Sequence, residues 1–220
     1  AEYQRRQHSA QTHAKYAKTC DELCTDFLAH AQELDQKNGR RTDEYHAFKS
    51  VIRYVSLLFG YTPACEFGPK CLKACREAMV EGRFSRKPLS RKYVNKSCNR
   101  IRHIFKWGVE EEIVPSEVLV GLRAVTGLQR GRTKAVERER VRPVEASVID
   151  ATLKQLRPMV ADMVRIQLLT GMRPGELCQM QASDIDRTMS DWRYTPSDHK
   201  MIHKDCVRLV AIGPKAQEIL

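Results

Sequence analysis

The ten residues Leu168–Leu177, which read LLTGMRPGEL, decide how the second half of the chain is interpreted. Gly171 permits a tight turn out of one helix, and Pro174 is well placed in the first turn of the next. This arrangement holds Arg173 at a helix start on rigid backbone, where its guanidinium can bind two oxygens of a phosphate. Glu176 can hydrogen-bond back to the turn as the carboxylate of a capping box. On pattern alone, a surface ion pair is the alternative interpretation of this arginine.

Apolar spacing on both sides of this stretch predicts a small mixed domain. Helical spacing runs from Val148 to Leu168, and a short helix is expected from Pro174 to about Met180. Alternating stretches then predict an antiparallel sheet with a broad polar tip from Pro196 to Asp205. A last helix is expected from Lys215 to Leu220. The residues that carry the predicted strands are Ile185, Trp192, Tyr194, Val207, Leu209 and Ala211.

The first half of the chain predicts four helices joined by short loops. Residues 1–13 are polar without periodicity and are interpreted as a flexible arm. Apolar residues then recur at helical spacing in four segments, which start near Tyr16, Phe48, Pro69 and Ser90. Four helices within about 100 residues are typical of a small helical bundle.

The positive charge of the chain is concentrated in its middle. The formal net charge is +11, from 38 Lys plus Arg against 27 Asp plus Glu. Residues 81–142 hold 16 basic and 7 acidic residues, so +9 of that charge lies in this segment. Such a cluster is expected of a surface that binds a polyanion. A solvated basic helix followed by a charged linker is the alternative interpretation.

The helix that begins after Ser90 has a cationic outer face opposite its apolar stripe. Long cations can hold phosphates and asparagine can read a base edge in a groove, although an ordinary solvated face has the same composition. A connector, residues 121–143, follows with Arg130, Arg132 and Lys134, which can lie along a duplex or belong to a solvated tether. The residues of the helix that are predicted to bind DNA are Arg91, Lys92, Asn95, Lys96, Asn99, Arg102 and Lys106.

Several classes of protein are disfavoured by the sequence. No apolar run approaches the ~18 residues that a membrane span needs, and no basic-then-apolar leader opens the chain. The eight cysteines are interpreted as free thiols in a reducing cytoplasm. The pairs Cys20/Cys24 and Cys71/Cys75 have the spacing of buried helical positions as well as that of zinc ligands, and no metal site is predicted. There is no glycine-rich phosphate loop, which disfavours a nucleotide-driven enzyme.

The stretch around Arg173 resembles the first arginine box of the tyrosine recombinases, the phage-type site-specific integrases. The resemblance covers nearly the whole chain, from about Thr12 to Leu220. The segments that support it are Thr62-Pro63, Phe67-Gly68-Pro69, the helix from Asn95 to Trp107, Val114-Pro115 and Ile212-Gly213-Pro214-Lys215-Ala216-Gln217.

The resemblance implies a mainly α protein that grips a DNA duplex from two sides as a C-shaped clamp. After the arm, a four-helix core-binding domain of the SAM-like type would occupy residues 14–122. A basic linker over residues 123–143 would lead to the first part of a mixed α/β catalytic domain over residues 144–220, with a small antiparallel sheet. The implied partner is double-stranded DNA, bound by a homotetramer of the parent protein on two synapsed duplexes. A cytoplasmic, nucleoid-associated location in a bacterial or phage-like setting is expected.

The resemblance also implies a reaction. In this family a tyrosine attacks the scissile phosphate of a mobile element's DNA and forms a 3′-phosphotyrosine, so rejoining needs neither ATP nor a metal cofactor. Arg173 matches the first arginine, which stabilises charge on the non-bridging oxygens. A lysine on a β-hairpin is the general acid for the leaving oxygen. Lys200 is the better match for it and Lys204 is the alternative; His203 and Lys204 are also expected to contact DNA.

No tyrosine of this sequence matches the position of the family's nucleophile. Tyr194 lies near Lys200, but the alternation along its strand predicts that it packs under the hairpin. The family's second arginine would also come after Leu220. The catalytic domain is therefore expected to be incomplete here, and the chain is expected to bind DNA without cleaving it. The alternative is a non-catalytic DNA-binding module or regulator derived from an integrase.

Overall fold

The computed structural model describes residues 16–34, 36–37, 40–196 and 207–220, and these residues form two units. The boundary lies between Arg140 and Val141. Helices predominate in both units, and a three-stranded antiparallel sheet lies in the second. The predicted fold class, mainly α with a small antiparallel sheet, is confirmed.

The first unit contains five helices and a two-stranded antiparallel pair among its described residues. Its elements in chain order are α1 (Cys20–Leu34), β1 (Gln36–Lys37), β2 (Arg40–Arg41), α2 (Asp43–Phe59), a 3-10 turn (Ala64–Glu66), α3 (Pro69–Glu81), α4 (Arg91–Glu110) and α5 (Ser116–Arg123). The four predicted helices correspond to α1–α4. The short α5 was not predicted; Pro115 comes just before it, and it buries Val118, Leu119 and Leu122.

The core of the first unit is built around α4, which buries more than one stripe of side chains. Val94, Cys98, Ile101 and Phe105 are buried as the spacing predicts, and Ile104 on the next face is fully buried as well. Aromatic rings meet across the core: those of Phe67 and Phe105 are stacked, with centroids 4.5 Å apart. A helix that is covered on two sides has only a narrow outer face left for a ligand.

Helices α1 and α4 approach each other closely at Gly108. A Cβ atom added at this position would lie 2.8 Å from Leu23 Cδ1 and 3.1 Å from Val114 Cγ2. A side chain at this position would therefore require the buried side chains of Leu23 and Val114 to move from their packed positions. This contact fixes the C-terminal end of the helix that carries the predicted DNA-binding residues.

The second unit contains four helices and the three-stranded sheet among its described residues. Its elements are α6 (Ala146–Leu153), α7 (Pro158–Thr170), α8 (Pro174–Gln179), a 3-10 turn (Ala182–Asp184), β3 (Ile185–Asp186), β4 (Trp192–Tyr194), β5 (Val210–Ile212) and α9 (Pro214–Gln217). The helical spacing from Val148 to Leu168 belongs to two helices, because Pro158 begins a new one. The strands are ordered β3-β4-β5, with Tyr194 paired to Ile185 on one side and to Val210 on the other.

One strand differs from its prediction in phase. The alternation of Val207, Leu209 and Ala211 predicted a strand, but β5 comprises Val210–Ile212 and buries Val210 and Ile212. Val207 and Leu209 are exposed. Because side chains alternate between the two faces of a strand, the shift of one residue reverses which of them reach the core. That core contains Ile166, Met172, Leu177, Tyr194, Val210, Ile212 and Ala216.

Candidate nucleic-acid interface

Arg173 lies in the turn between α7 and α8, and the backbone of that turn is closely defined. Gly171 ends α7 in the left-handed region at φ +64°, where a side chain would be strained, and its N–H donates to Gln167 O at 2.9 Å. Met172 is buried and anchors the turn in the core. Arg173 then has extended backbone and is the N-cap residue of α8, with Pro174 at the first helical position. The predicted placement of Arg173 at a rigid helix start is confirmed.

The Glu176 carboxylate holds Arg173 in place. It accepts a hydrogen bond from the Arg173 backbone N–H at 2.9 Å, so the predicted capping contact is confirmed. Its Oε1 also accepts a bond from Arg173 Nη1 at 2.7 Å. The Glu176 side chain is 4% exposed, whereas that of Arg173 is 51% exposed. The arrangement therefore buries the anion and presents the cation.

A second arginine, Arg208, donates to the same carboxylate. Its Nε lies 3.1 Å from Glu176 Oε1 and its Nη2 lies 3.2 Å from Oε2, which is a bidentate contact. Burial alone would raise the pKa of Glu176, but the hydrogen bonds from the Arg173 N–H and from the two guanidinium groups outweigh it and lower that pKa. Glu176 is therefore ionised at neutral pH. The sequence interpretation missed Arg208, because nothing local to it indicates a partner 32 residues away.

Tyr194 fixes α8 from the side of the sheet. Its buried hydroxyl donates to the Glu176 backbone carbonyl at 2.8 Å, and burial raises the pKa of that hydroxyl. The prediction that Tyr194 packs inside the domain is confirmed. Strand β4 and the segment just before β5 are thus both tied to the first turn of α8, through Tyr194 and Arg208. Lys200, His203 and Lys204 lie outside the described residues.

In the first unit, the structure divides the predicted DNA-binding face of α4 into two groups. Lys92, Lys96, Asn99 and Lys106 are exposed, whereas Arg91, Asn95 and Arg102 are half-buried. Of the exposed lysines, Lys106 pairs with Glu110 at 2.7 Å, and Lys96 lies 3.9 Å from a Glu44 oxygen. The exposed group can reach a ligand directly.

The half-buried group holds the connector instead. Asn95 donates to Leu128 O at 3.0 Å and accepts from Leu128 N–H at 2.8 Å. Arg102 donates from Nε to Leu122 O at 2.9 Å and from Nη2 to Val125 O. Asn95, which the sequence interpretation expected to read a base edge, and Arg102, which it expected to hold a phosphate, therefore already bind the protein's own backbone.

The connector follows α4 back to its first turn. The Arg91 guanidinium forms an ion pair with Glu137, and the Arg91 backbone N–H donates to Val136 O at 3.0 Å. Val125 and Ala135 are buried. The segment from 125 to 137 therefore packs within the first unit along α4, and its basic residues Arg130, Arg132 and Lys134 are exposed.

The part of the chain that the structure describes contains no cluster of three or more His, Cys, Asp or Glu residues that could hold a metal ion. Its seven cysteines are free thiols. Burial raises the pKa of Cys20, Cys24 and Cys75, so these thiols are protonated at neutral pH. Across the same described ranges, no helix is both long and apolar enough to cross a membrane.

Comparison with known proteins identifies a structural likeness. No protein-family model matches the chain, and no curated protein matches it. Two solved structures of the Tn1549 transposon integrase, each in complex with a circular intermediate DNA, are similar to it, with TM-scores of 0.64 and 0.63 at 14% and 13% sequence identity. Each match covers 91% of this chain and 63% of the integrase chain. At this identity the likeness establishes the fold, and that fold is the one that the sequence resemblance implied.

Proposed function

We propose that this chain binds double-stranded DNA as part of a tyrosine recombinase of the integrase type. The observation that carries the proposal is Arg173, a half-exposed guanidinium that a buried carboxylate holds in place, within a fold similar to that of a DNA-bound transposon integrase. A guanidinium that is already oriented loses less conformational freedom when it binds a phosphate. It can also stabilise charge that develops on a phosphate oxygen.

The first unit contributes contacts that position the protein on the duplex. Lys92 and Lys96 on α4 are exposed, as are Arg130, Arg132 and Lys134 on the connector. Contacts from such cations to phosphates fix the register of a protein on DNA without reading sequence. The half-buried Arg91, Asn95 and Arg102 support this surface by holding the connector against α4, and Asn99 and Lys106 add to its exposed edge.

The finer part of the proposal concerns the reaction of a parent protein that also contains a nucleophilic tyrosine. That protein would cut and rejoin the DNA of a mobile element through a 3′-phosphotyrosine, as a homotetramer on two duplexes. Arg173 would bind the scissile phosphate, and Lys200, with Lys204 as the alternative, would protonate the leaving oxygen. Residues 14–122 would be the core-binding domain, 123–143 the linker and 144–220 part of the catalytic domain.

The chain of 220 residues is proposed to bind DNA without cleaving it. Tyr194 is the only tyrosine between Val141 and Leu220, and its hydroxyl is buried and bonded to the Glu176 carbonyl. A buried phenol that donates to a backbone carbonyl is not available to attack a phosphate.

Binding is tested by titrating a fluorescent duplex with the chain at several salt concentrations. We expect the logarithm of the affinity to fall linearly with the logarithm of the salt concentration. The double variant Lys92→Gln/Lys96→Gln should reduce the slope by about two, one for each phosphate that a lysine no longer neutralises. The matched control is Lys49→Gln/Lys73→Gln, which removes two exposed lysines from α2 and α3 and should leave the slope nearly unchanged. Equal slopes for the wild type and both double variants would mean that Lys92 and Lys96 of α4 do not contact the DNA phosphates.

Chemistry is tested with a nicked suicide duplex that traps a covalent 3′-linked adduct. The chain of 220 residues should give no adduct, and an adduct would contradict binding without cleavage. The parent protein should give one, and its Arg173→Ala variant should lose cleavage by about 100-fold or more while affinity changes little. An equal loss of binding and cleavage would make Arg173 a positioning residue.

A further inference from the structure

One buried carboxylate brings two guanidinium groups together in the second unit. Arg173 Nη1 and Arg208 Nε donate to the same oxygen, Glu176 Oε1, at 2.7 and 3.1 Å. Because they share one acceptor atom, these two nitrogens lie within several ångströms of each other. Two cations would normally repel at that separation, but the ionised Glu176 between them reduces the local charge to +1.

Most of the donors of the two arginines remain available. A guanidinium has five N–H donors. The contacts with Glu176 use Nη1 of Arg173, and Nε and Nη2 of Arg208. Neither guanidinium makes a further hydrogen bond to another residue that the structure describes. The two side chains are 51% and 34% exposed, so the remaining donors can reach a ligand from solvent.

We propose that Arg208 is a second phosphate ligand and that it binds the same phosphodiester as Arg173. Each guanidinium would donate to a different non-bridging oxygen, and the single negative charge of the phosphodiester would match the net charge of the three side chains. Glu176 would orient both arginines and would touch no DNA. This inference rests on the proposed function, because it takes the phosphate at Arg173 to be that of DNA.

The competing role for Arg208 is purely structural. Its bidentate contact ties the segment just before β5 to α8, and the Tyr194 hydroxyl ties β4 to the same turn. In that case Arg208 would hold Glu176 and would make no contact with an anion. The two roles differ in whether the Arg208 guanidinium itself responds when an anion binds.

The experiment is an NMR titration of the intact chain with dimethyl phosphate, a phosphodiester of one negative charge, followed at the arginine Nε–H resonances. We expect the resonances of Arg173 and Arg208 to shift along the same saturation curve. Arg208→Gln should weaken the binding that Arg173 reports by about fivefold or more. The control Arg165→Gln, which removes a surface arginine paired with Asp162, should leave that curve unchanged.

The wild-type titration decides between the two roles without a substitution, so a variant that fails to fold does not remove the test. A shift of Arg173 alone, or no shift of either resonance up to about 100 mM, would overturn the proposal. Should Arg208→Gln unfold, Arg208→Lys retains the charge but lacks the planar donors needed to hold Glu176 and a phosphate together, and it should also weaken binding. Dimethyl phosphate bound by both arginines in a chain that does not bind duplex DNA would contradict the proposed function but not the two-arginine site.

Discussion

In the first unit Arg100 is buried and Glu44 is partly exposed, whereas in the second unit Glu176 is buried and its arginine partners are partly exposed. Arg100 Nε and Nη2 donate to the two Glu44 oxygens at 2.7 and 2.8 Å, and the side chains are 7% and 43% exposed. The hydrogen bonds from Arg100 lower the pKa of Glu44 more than burial raises it. Both contacts join a carboxylate to arginine, but the buried partner is the arginine in the first unit and the carboxylate in the second.

The difference shows how one type of ion pair can serve two purposes. A buried guanidinium has its donors directed into the protein, so Arg100 stabilises the packing of α4 against α2. A buried carboxylate leaves its arginines at the surface with donors that it does not use, which is the arrangement expected of Arg173 and Arg208 if they bind a ligand. Which partner is buried therefore distinguishes the structural pair from the candidate binding site.

The largest effect is expected from Glu44→Gln. The substitution leaves the buried Arg100 cation without its counter-ion, which typically costs 3–5 kcal/mol, and about 3 kcal/mol is expected because Glu44 itself is partly exposed. Urea unfolding followed by Trp107 fluorescence in a Trp192→Phe background measures the free energy of unfolding of the first unit. The control Lys96→Gln removes only the long contact with Glu44 and should cost less than about 0.5 kcal/mol. If Glu44→Gln lowered the free energy of unfolding by less than about 1 kcal/mol, the buried Arg100 would not need Glu44 as a counter-ion for stability.

Glu176→Gln should cost the second unit less, about 2 kcal/mol, although it breaks more hydrogen bonds. The arginines that it leaves unpaired are exposed and can be solvated, so the penalty of an uncompensated buried charge is avoided. Unfolding followed by Trp192 fluorescence in a Trp107→Phe background gives the value. The same variant should also abolish the common saturation curve of Arg173 and Arg208 with dimethyl phosphate. A stability loss larger than that of Glu44→Gln would reverse the comparison between the two units.

The lowered pKa of Glu176 predicts a smaller effect, a dependence of the free energy of unfolding on pH. Because the pKa of Glu176 in the folded protein lies below its ordinary value of 4.5, the carboxylate contributes its full stability above that value. The contribution is lost as the pH falls through the lower folded pKa. The difference in unfolding free energy between wild type and Glu176→Gln should therefore be constant from about pH 7 to pH 5 and shrink below about pH 4. A difference that already shrinks between pH 7 and pH 6 would indicate a raised pKa instead.

The local part of the candidate site could be predicted from the sequence. Gly171, Arg173, Pro174 and Glu176 lie within six residues, and turn and capping rules relate neighbours of that kind. Arg208 could not be predicted, because its contact with Glu176 depends on the pairing of β5 with β4. The phase of β5 itself was wrong by one residue, since the alternation continues through Val207 and Leu209, which lie outside the strand.

The four longer helices of the first unit were predicted from the sequence, but the contacts made by the outer face of α4 were not. Helical periodicity identifies which side of α4 faces away from the core, and Lys92 and Lys96 are exposed there as expected. It does not indicate that a later segment will cover part of that side. Asn95 and Arg102 bind carbonyl groups of residues 20 to 33 positions further along the chain. Contacts of this length are set by tertiary structure, which the spacing of apolar residues does not encode.

The smallest loss of stability is expected from Asn95→Ala. This variant tests whether the Asn95 side chain stabilises the first unit rather than binding DNA. The substitution removes both hydrogen bonds with Leu128, one of which protects the Leu128 amide, and should cost about 1 kcal/mol. Hydrogen exchange of that amide should accelerate by about fivefold, whereas the control Lys92→Ala, an exposed residue of the same helix, should leave it unchanged. If Asn95→Ala instead weakened duplex binding and left the Leu128 amide protected, Asn95 would contact DNA directly. The outer face of α4 would then present its polar groups to a ligand, as we propose for Arg173 and Arg208 in the second unit.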